Sequence, residues 1–188
     1  MGEAKRRRAD LRDSFLQDLD RWSFPATEWE RALALELGRL ALLRVPRAPD
    51  WWLRQTRMVP QECHANAGFL AAGGPDYEHV TGWWPQDGDF VLHSVVRHRG
   101  RLLCVTPLHS AGWRAPAHVD FIPDPRIEWR REGAANVAYR DGVAIGPGVR
   151  TDPAETMRKA ALVRGRLMAG VHPFQAVLLT VPDAPAPT

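Results

Sequence analysis

The chain has 188 residues, of which 45% are hydrophobic, and its formal net charge at pH 7 is +3. This is enough apolar material for one domain of ordinary size with a buried core, and it excludes a disordered chain. No apolar run approaches the roughly 18 residues that cross a bilayer, and no apolar segment follows the charged N-terminus. We therefore expect a soluble cytoplasmic protein without membrane association.

Charge and cysteine content restrict the partners further. Within the first 13 residues, five basic side chains stand against three acidic ones, so the rest of the chain is nearly neutral. Nucleic acid is therefore not an expected partner, since short charged termini are usually solvated. Without a secretion signal, Cys63 and Cys104 are expected to be reduced thiols. The scarcity of lysine beside abundant arginine, alanine and proline is typical of GC-rich bacterial genomes.

The first fifty residues are predicted to form a helical arm. Residues 3–21 carry an apolar stripe at every fourth position, which predicts a helix. The segment Thr27-Glu28-Trp29-Glu30 is a capping box and predicts a second helix that extends to about Leu43. The proline-containing segment 45–50 is predicted to be a linker.

Residues 51–181 are predicted to form an α+β domain, followed by a disordered tail over 182–188. A helix over 61–72 precedes three strands over 79–84, 90–98 and 101–106, the last two joined by a hairpin at Arg99-Gly100. Residues 121–125 are predicted to be a turn, and 127–131 and 136–145 peripheral strands. Asp152 is a predicted N-cap, with Pro153 at the first helical position, and 174–181 is predicted to be a last strand or docking segment. The expected fold is a helix carrying Cys63 packed on an antiparallel sheet, with an N-terminal helical arm and a C-terminal helix.

Cys63 and His93 are the candidate reactive pair. Cys63 follows Pro60-Gln61-Glu62 at the predicted start of a helix, where the helix dipole and the free N–H groups favour a thiolate. An imidazole on the adjacent sheet can accept the proton of that thiol. The alternative interpretation is a buried structural cysteine and a core histidine. Asn66, one turn after Cys63, is expected to hydrogen-bond a neighbouring loop.

The Arg99-Gly100 hairpin predicts which residue orients His93. If His98 pairs with Arg101, counting back places Val95 opposite Cys104 and His93 opposite Thr106. Thr106 can then accept the imidazole N–H and fix its tautomer, as an Asp or Asn does in a catalytic triad.

Over residues 60–107 the chain resembles the papain-like and transglutaminase-like superfamily of cysteine hydrolases and acyltransferases. The matching features are Cys63 at the head of a helix, His93 on the next long strand, and the strand Leu103-Cys104-Val105-Thr106-Pro107 in the third position. The resemblance implies thiol-dependent chemistry on an amide or ester bond of a small-molecule or peptide substrate, without a cofactor. Cys63 would be the nucleophile, His93 the general base, and Thr106 a possible orienting residue. Gln61 and the backbone N–H of Cys63 would stabilise the oxyanion.

The chain departs from this pattern at the third position. Transglutaminase-like cores carry an Asp on the strand after the histidine, in a segment similar to Asp-Pro-Thr, where this chain has Cys104-Val105-Thr106-Pro107. The missing carboxylate favours a second hypothesis, a catalytically degenerate binding module with the same fold. A third hypothesis is a zinc site, although C-x-x-C and H-x-x-x-H spacings are absent. Its candidate ligands are Cys63, His64, His93, His98, Cys104 and His109.

Overall fold

The computed structural model describes residues 2–107 and 116–178 and confirms the α+β class, with helices and antiparallel sheets. None of the helices in these ranges is long and apolar enough to cross a membrane. The elements follow the chain in the order α1 (Glu3–Trp22), α2 (Glu28–Leu37), β1 (Leu43–Pro46), α3 (Asp50–Gln55), α4 (Cys63–Gly73), β2 (Tyr77–Gln86), β3 (Asp89–His98), β4 (Arg101–Leu103), β5 (His118–Pro123), β6 (Ile127–Glu132), β7 (Ala135–Arg140), β8 (Val143–Ala144), β9 (Gly148–Val149), α5 (Pro153–Met168) and α6 (Pro173–Ala176).

The described elements belong to two compact units, divided differently from the predicted domains. One unit comprises Met1–Thr27 with Asp152–Thr188, and the other comprises Glu28–Thr151. The second unit includes α2, because Glu30 of this helix forms a buried ion pair with Arg150, with Nε and Oε1 2.8 Å apart. The predicted boundary at residue 50 separated α2 from the sheet, since a sequence pattern cannot reveal an ion pair between residues so far apart.

The first unit is helical. Apolar residues of α1 pack with residues of α5 and α6, namely Phe15, Leu16, Leu19, Val163, Leu167 and Ala176. The predicted start of α5 is confirmed, because the Asp152 side chain accepts a hydrogen bond from the Glu155 N–H at 2.9 Å. Of the two alternatives for residues 174–181, the strand is wrong where the structure describes it, since α6 occupies that segment. The docking segment agrees with the structure there, because Ala176 of α6 is buried in this cluster. Residues 179–181 and the predicted tail 182–188 lie outside the described residues.

The second unit is built on an antiparallel sheet with the strand order β1-β5-β2-β3-β4, and β9 also pairs with β3. The strands β2 and β3 form a long hairpin, and α4 packs on both, as predicted. After β4 the chain continues to Cys104, which forms a β-bridge with Arg47 just after β1. This bridge brings β1 and β4, the first and last strands of the order, close together. A separate sheet of β6, β7 and β8 completes the unit.

The two faces of β3 contact different clusters of side chains. Val96 packs with Ala67 of α4, whereas Val95 packs with Cys104 and Phe121. Because side chains alternate along a strand, Ser94 shares the face of Val96 and His93 shares the face of Val95.

Three strands, β1, β5 and β9, were not predicted. The segment interpreted as a linker contains the end of β1 and the start of α3, and α2 ends at Leu37, before the predicted Leu43. Pro46 indicated a break, but proline is tolerated on an edge strand. The predicted turn over 121–125 is wrong for its first residues, since β5 continues to Pro123.

Candidate functional site

Cys63 is the first residue of α4, and Asn66 fixes the loop that leads into the helix. Asn66 is buried; its Nδ2 donates to the Val59 carbonyl at 2.7 Å, and its Oδ1 accepts from the Val59 N–H at 2.9 Å. The expectation that Asn66 hydrogen-bonds a neighbouring loop is confirmed. Between Val59 and Cys63, the side chain of Gln61 is exposed, and its backbone has a left-handed φ of 63°. The two-point attachment therefore determines where the helix, and with it the thiol, begins.

The Cys63 thiol lies at a gap along one edge of β3. On that edge β9 pairs with Phe90 and Val91, and β4 pairs with residues 96–98. The N–H of Leu92 points to this edge, where it donates to the Pro147 carbonyl. Since N–H directions alternate, the N–H of Ser94 points the same way, and it faces the Cys63 thiol. The sulfur therefore lies against the backbone of the residue that directly follows His93.

His93 is held on the opposite face of the sheet by Cys104. The His93 Nε2 and the Cys104 Sγ are 3.5 Å apart. The ring packs against Trp84, with centroids 5.3 Å apart, and against Phe121, with centroids 6.2 Å apart. Only 3% of His93 is exposed, so its imidazole sits among aromatic rings with a thiol as its hydrogen-bond partner.

The structure does not pair Thr106 with His93, contrary to the prediction from the hairpin register. The hairpin register is confirmed for His98 and Arg101, but β4 ends at Leu103, so the ladder never reaches Thr106. Thr106 Oγ1 is buried and makes no directed hydrogen bond among the described residues. Burial raises the pKa of the Cys104 thiol, and the backbone N–H of Thr106 opposes this change. Cys104 therefore occupies the position beside His93 that the sequence assigned to Thr106.

Burial holds the Cys63 thiol and the His93 imidazole in their neutral forms. It raises the pKa of Cys63 to about 11, while the N–H groups of Ser94, His64 and Cys63 itself oppose this change. It lowers the pKa of His93 to about 3, and the nearby His64 imidazole adds to this effect. At pH 7 the resting site therefore holds a thiol and a neutral imidazole. No hydrogen bond joins Cys63 to His93 in the part of the chain that the structure describes.

A polar network on the α4 side of the sheet was missed by sequence reasoning. Ser94 Oγ lies 2.7 Å from His64 Nδ1 and 2.8 Å from His79 Nε2. Trp129 of β6 donates its Nε1–H to Thr81 Oγ1 at 2.9 Å and packs on the His64 ring, with centroids 4.7 Å apart. The pairing of Thr81 with Ser94 across β2 and β3 would have placed the two hydroxyls on one face, had the turn at Asp87-Gly88 been recognised.

The described residues do not support a zinc site. Within residues 2–107 and 116–178, no group of three or more His, Cys, Asp or Glu side chains is placed to hold a metal ion. His109, one of the predicted ligands, lies outside these ranges. Comparison of the chain with protein-family models, curated proteins and solved structures finds no match. The chemistry of the site therefore has to follow from its own residues.

Proposed function

We propose that the unit Glu28–Thr151 is a thiol-dependent hydrolase or acyltransferase that acts on an amide or ester bond, with Cys63 as nucleophile and His93 as general base. One arrangement supports this proposal: the Cys63 thiol lies against the N–H of Ser94, directly after His93, while Cys104 fixes the far side of the His93 ring. The candidate nucleophile thus contacts the residue next to the candidate base, and Cys104 takes the position of the orienting group of a triad enzyme.

Because Cys63 and His93 are both neutral at rest, the thiol must lose its proton during the attack on the substrate. As Cys63 Sγ attacks the acyl carbon, its proton passes to His93 Nδ1, because Nε2 already faces Cys104. The S–C bond forms, the bond to the leaving alcohol or amine breaks, and the imidazolium returns the proton to that leaving group. Water or an acceptor then attacks the thioester with His93 again as base, the C–S bond breaks, and the imidazolium returns its proton to the Cys63 sulfur. This requires the thiol and the imidazole to come within hydrogen-bond distance when substrate binds.

The oxyanion is best stabilised by the backbone. The N–H groups of Cys63 and His64 at the first turn of α4 already face the thiol and can therefore donate to an oxyanion that forms beside it. Gln61 is exposed and adds no hydrogen bond within the described residues, so its predicted oxyanion role has no geometric support. A cytoplasmic location belongs to this proposal, because two free thiols are typical of proteins from a reducing compartment.

One observation favours a second function, a binding module that keeps the fold without catalysis. Cys63 is 8% exposed and His93 3% exposed, and no hydrogen bond joins them in the described part of the chain. A site that stays closed in this way would leave both groups as structural residues.

Acetylation by p-nitrophenyl acetate separates the two functions. The ester would transfer its acetyl group to the Cys63 sulfur and release p-nitrophenol, which peptide mass spectrometry and absorbance detect together. We expect acetylated Cys63 in the native protein, no acetylation at that position in Cys63→Ala, and at least tenfold slower acetylation in His93→Gln. Cys104, equally free but more buried, is the internal control. Unmodified Cys63, or a rate that His93→Gln leaves unchanged, would favour the binding module.

A further inference from the structure

We propose that Ser94 is a positioning residue for the Cys63 thiol: its hydroxyl accepts the Nδ1–H of His64, donates to Nε2 of His79, and so fixes the first turn of α4 on β3. This inference deepens the proposed function and rests on it. It concerns a side chain that does not touch the reacting atoms and acts through the residue next to Cys63.

The hydroxyl of Ser94 is placed to join two elements. Ser94 is fully buried on β3, His64 is the second residue of α4, and His79 lies on β2. Both contacts, at 2.7 and 2.8 Å, are within ordinary hydrogen-bond range. A hydroxyl has a single proton, so it donates to one imidazole and accepts from the other. We call this pair of hydrogen bonds, from His64 through the Ser94 hydroxyl to His79, the bridge. Its donors and acceptors must run in one direction, so each imidazole ring must hold one tautomer.

Trp129 and Thr81 favour one direction. The indole N–H of Trp129 can only donate, so Thr81 Oγ1 accepts from it and keeps its own proton for another partner. Thr81 Oγ1 lies 3.5 Å from His79 Nε2 and 3.5 Å from Ser94 Oγ. A lone pair on His79 Nε2 accepts the short hydrogen bond from Ser94 and also faces the Thr81 hydroxyl, and burial, which lowers the pKa of His79, keeps that ring neutral. His79 then carries its proton on Nδ1, and Ser94 accepts from His64 Nδ1–H.

The bridge acts on the thiol through the backbone. The main-chain N–H of Ser94 faces the Cys63 sulfur, while its side chain holds the residue that follows Cys63. A single strand residue thus contacts the start of the helix at two places. Loss of the hydroxyl would leave the fold of the sheet in place and release the first turn of α4.

Two variants of almost equal size isolate the hydroxyl. Ser94→Thr retains it and Ser94→Val removes it, and both place a β-branched side chain on a strand. Ser94→Ala, which adds no bulk, removes it as well and serves if the valine variant does not fold. The readouts are the ¹⁵N imidazole resonances of His64 and His79, which report the tautomers, and the rate of Cys63 acetylation by p-nitrophenyl acetate.

We expect native protein and Ser94→Thr to show Nδ1–H tautomers at both rings and similar acetylation rates. Ser94→Val or Ser94→Ala should lose the fixed tautomer of His64 and acetylate Cys63 about tenfold more slowly, as loss of about one hydrogen bond implies. Unchanged tautomers, or equal losses in the threonine and alanine variants, would overturn the inference. If His93→Gln slows acetylation and Ser94→Ala does not, the inference alone fails. If acetylation is absent or independent of His93, the proposed function fails, and the positioning role of Ser94 falls with it, while the tautomers still establish whether the bridge exists.

Discussion

Replacing Cys104 by aspartate tests whether His93 is a latent catalytic base. Cys104 Sγ lies 3.5 Å from His93 Nε2, so Cys104→Asp would place a carboxylate where triad enzymes carry one. Cys104→Asn is the matched control, because asparagine has the same shape without the charge.

The size of the effect follows from the geometry. Two opposite unit charges 3.5 Å apart interact by about 5 kcal/mol at an effective dielectric constant of about 20. Burial lowers the pKa of His93 from its ordinary 6.5 to about 3, which also corresponds to about 5 kcal/mol. The two effects are similar, so the carboxylate should return the pKa of His93 to near its ordinary value.

The assay is an NMR titration of the His93 Cε1–H, together with Cys63 acetylation by p-nitrophenyl acetate. We expect the pKa of His93 to rise in Cys104→Asp and not in Cys104→Asn, and acetylation at pH 7 to be faster by about tenfold or more in the aspartate variant. Its free energy of unfolding should fall by several kcal/mol, because the carboxylate enters a fully buried position. Equal His93 pKa values and equal rates in the two variants would refute the reasoning.

Three further predictions concern the frame around the site. Asn66→Ala removes both hydrogen bonds to the loop before α4 and should lower the free energy of unfolding by about 2 kcal/mol in urea titrations. Gly82→Ala should destabilise by about 3 kcal/mol and Gly73→Ala much less, since a Cβ at Gly82 would lie 2.1 Å from the Ile122 carbonyl oxygen, whereas one at Gly73 meets no atom within 4 Å. Because the pKa of His93 is lowered in the folded protein, the unfolded chain binds more protons than the folded chain between about pH 6.5 and pH 3. The free energy of unfolding should therefore decrease as the pH falls through this range. This should cost about 3 kcal/mol at about pH 4 in denaturant titrations, and His93→Gln should show a correspondingly weaker pH dependence.

The sequence predicted those elements whose signals are local. The N-cap at Asp152 and the hairpin at Arg99-Gly100 depend on residues within a few positions of one another, and both are confirmed. In contrast, β1 and β5 pair with each other across more than seventy residues, and each contains a proline that indicates a break. Strands of this kind acquire their conformation from a distant partner, which periodicity along the chain cannot reveal.

The site shows the same limit at the level of single residues. Cys63 and His93 were singled out because a helix start and a strand were predicted to place them, but the partner of His93 was assigned by extending a ladder that ends at Leu103. Cys104 leaves that ladder to bridge with Arg47, and this turn brings its sulfur to the imidazole. Ser94 has no sequence signal of its own, because its role depends on where α4 lies on the sheet.

The burial of the pair is compatible with catalysis and makes the neutral partner of His93 the critical feature. The pKa values of Cys63 and His93 differ by about 8, so moving the proton from sulfur to nitrogen costs about 11 kcal/mol for separated groups. Attraction between thiolate and imidazolium at about 4 Å returns about 4 kcal/mol. The net cost of the proton transfer is therefore about 7 kcal/mol. This is less than half of the activation free energy of roughly 16 kcal/mol for an enzyme that turns over about ten times per second. A carboxylate at Cys104 would remove most of that net cost, whereas the thiol stabilises the imidazolium only weakly. We therefore expect the native site to transfer its proton in concert with attack on substrate, and its rate to depend more on the residue beside His93 than on the exposure of Cys63.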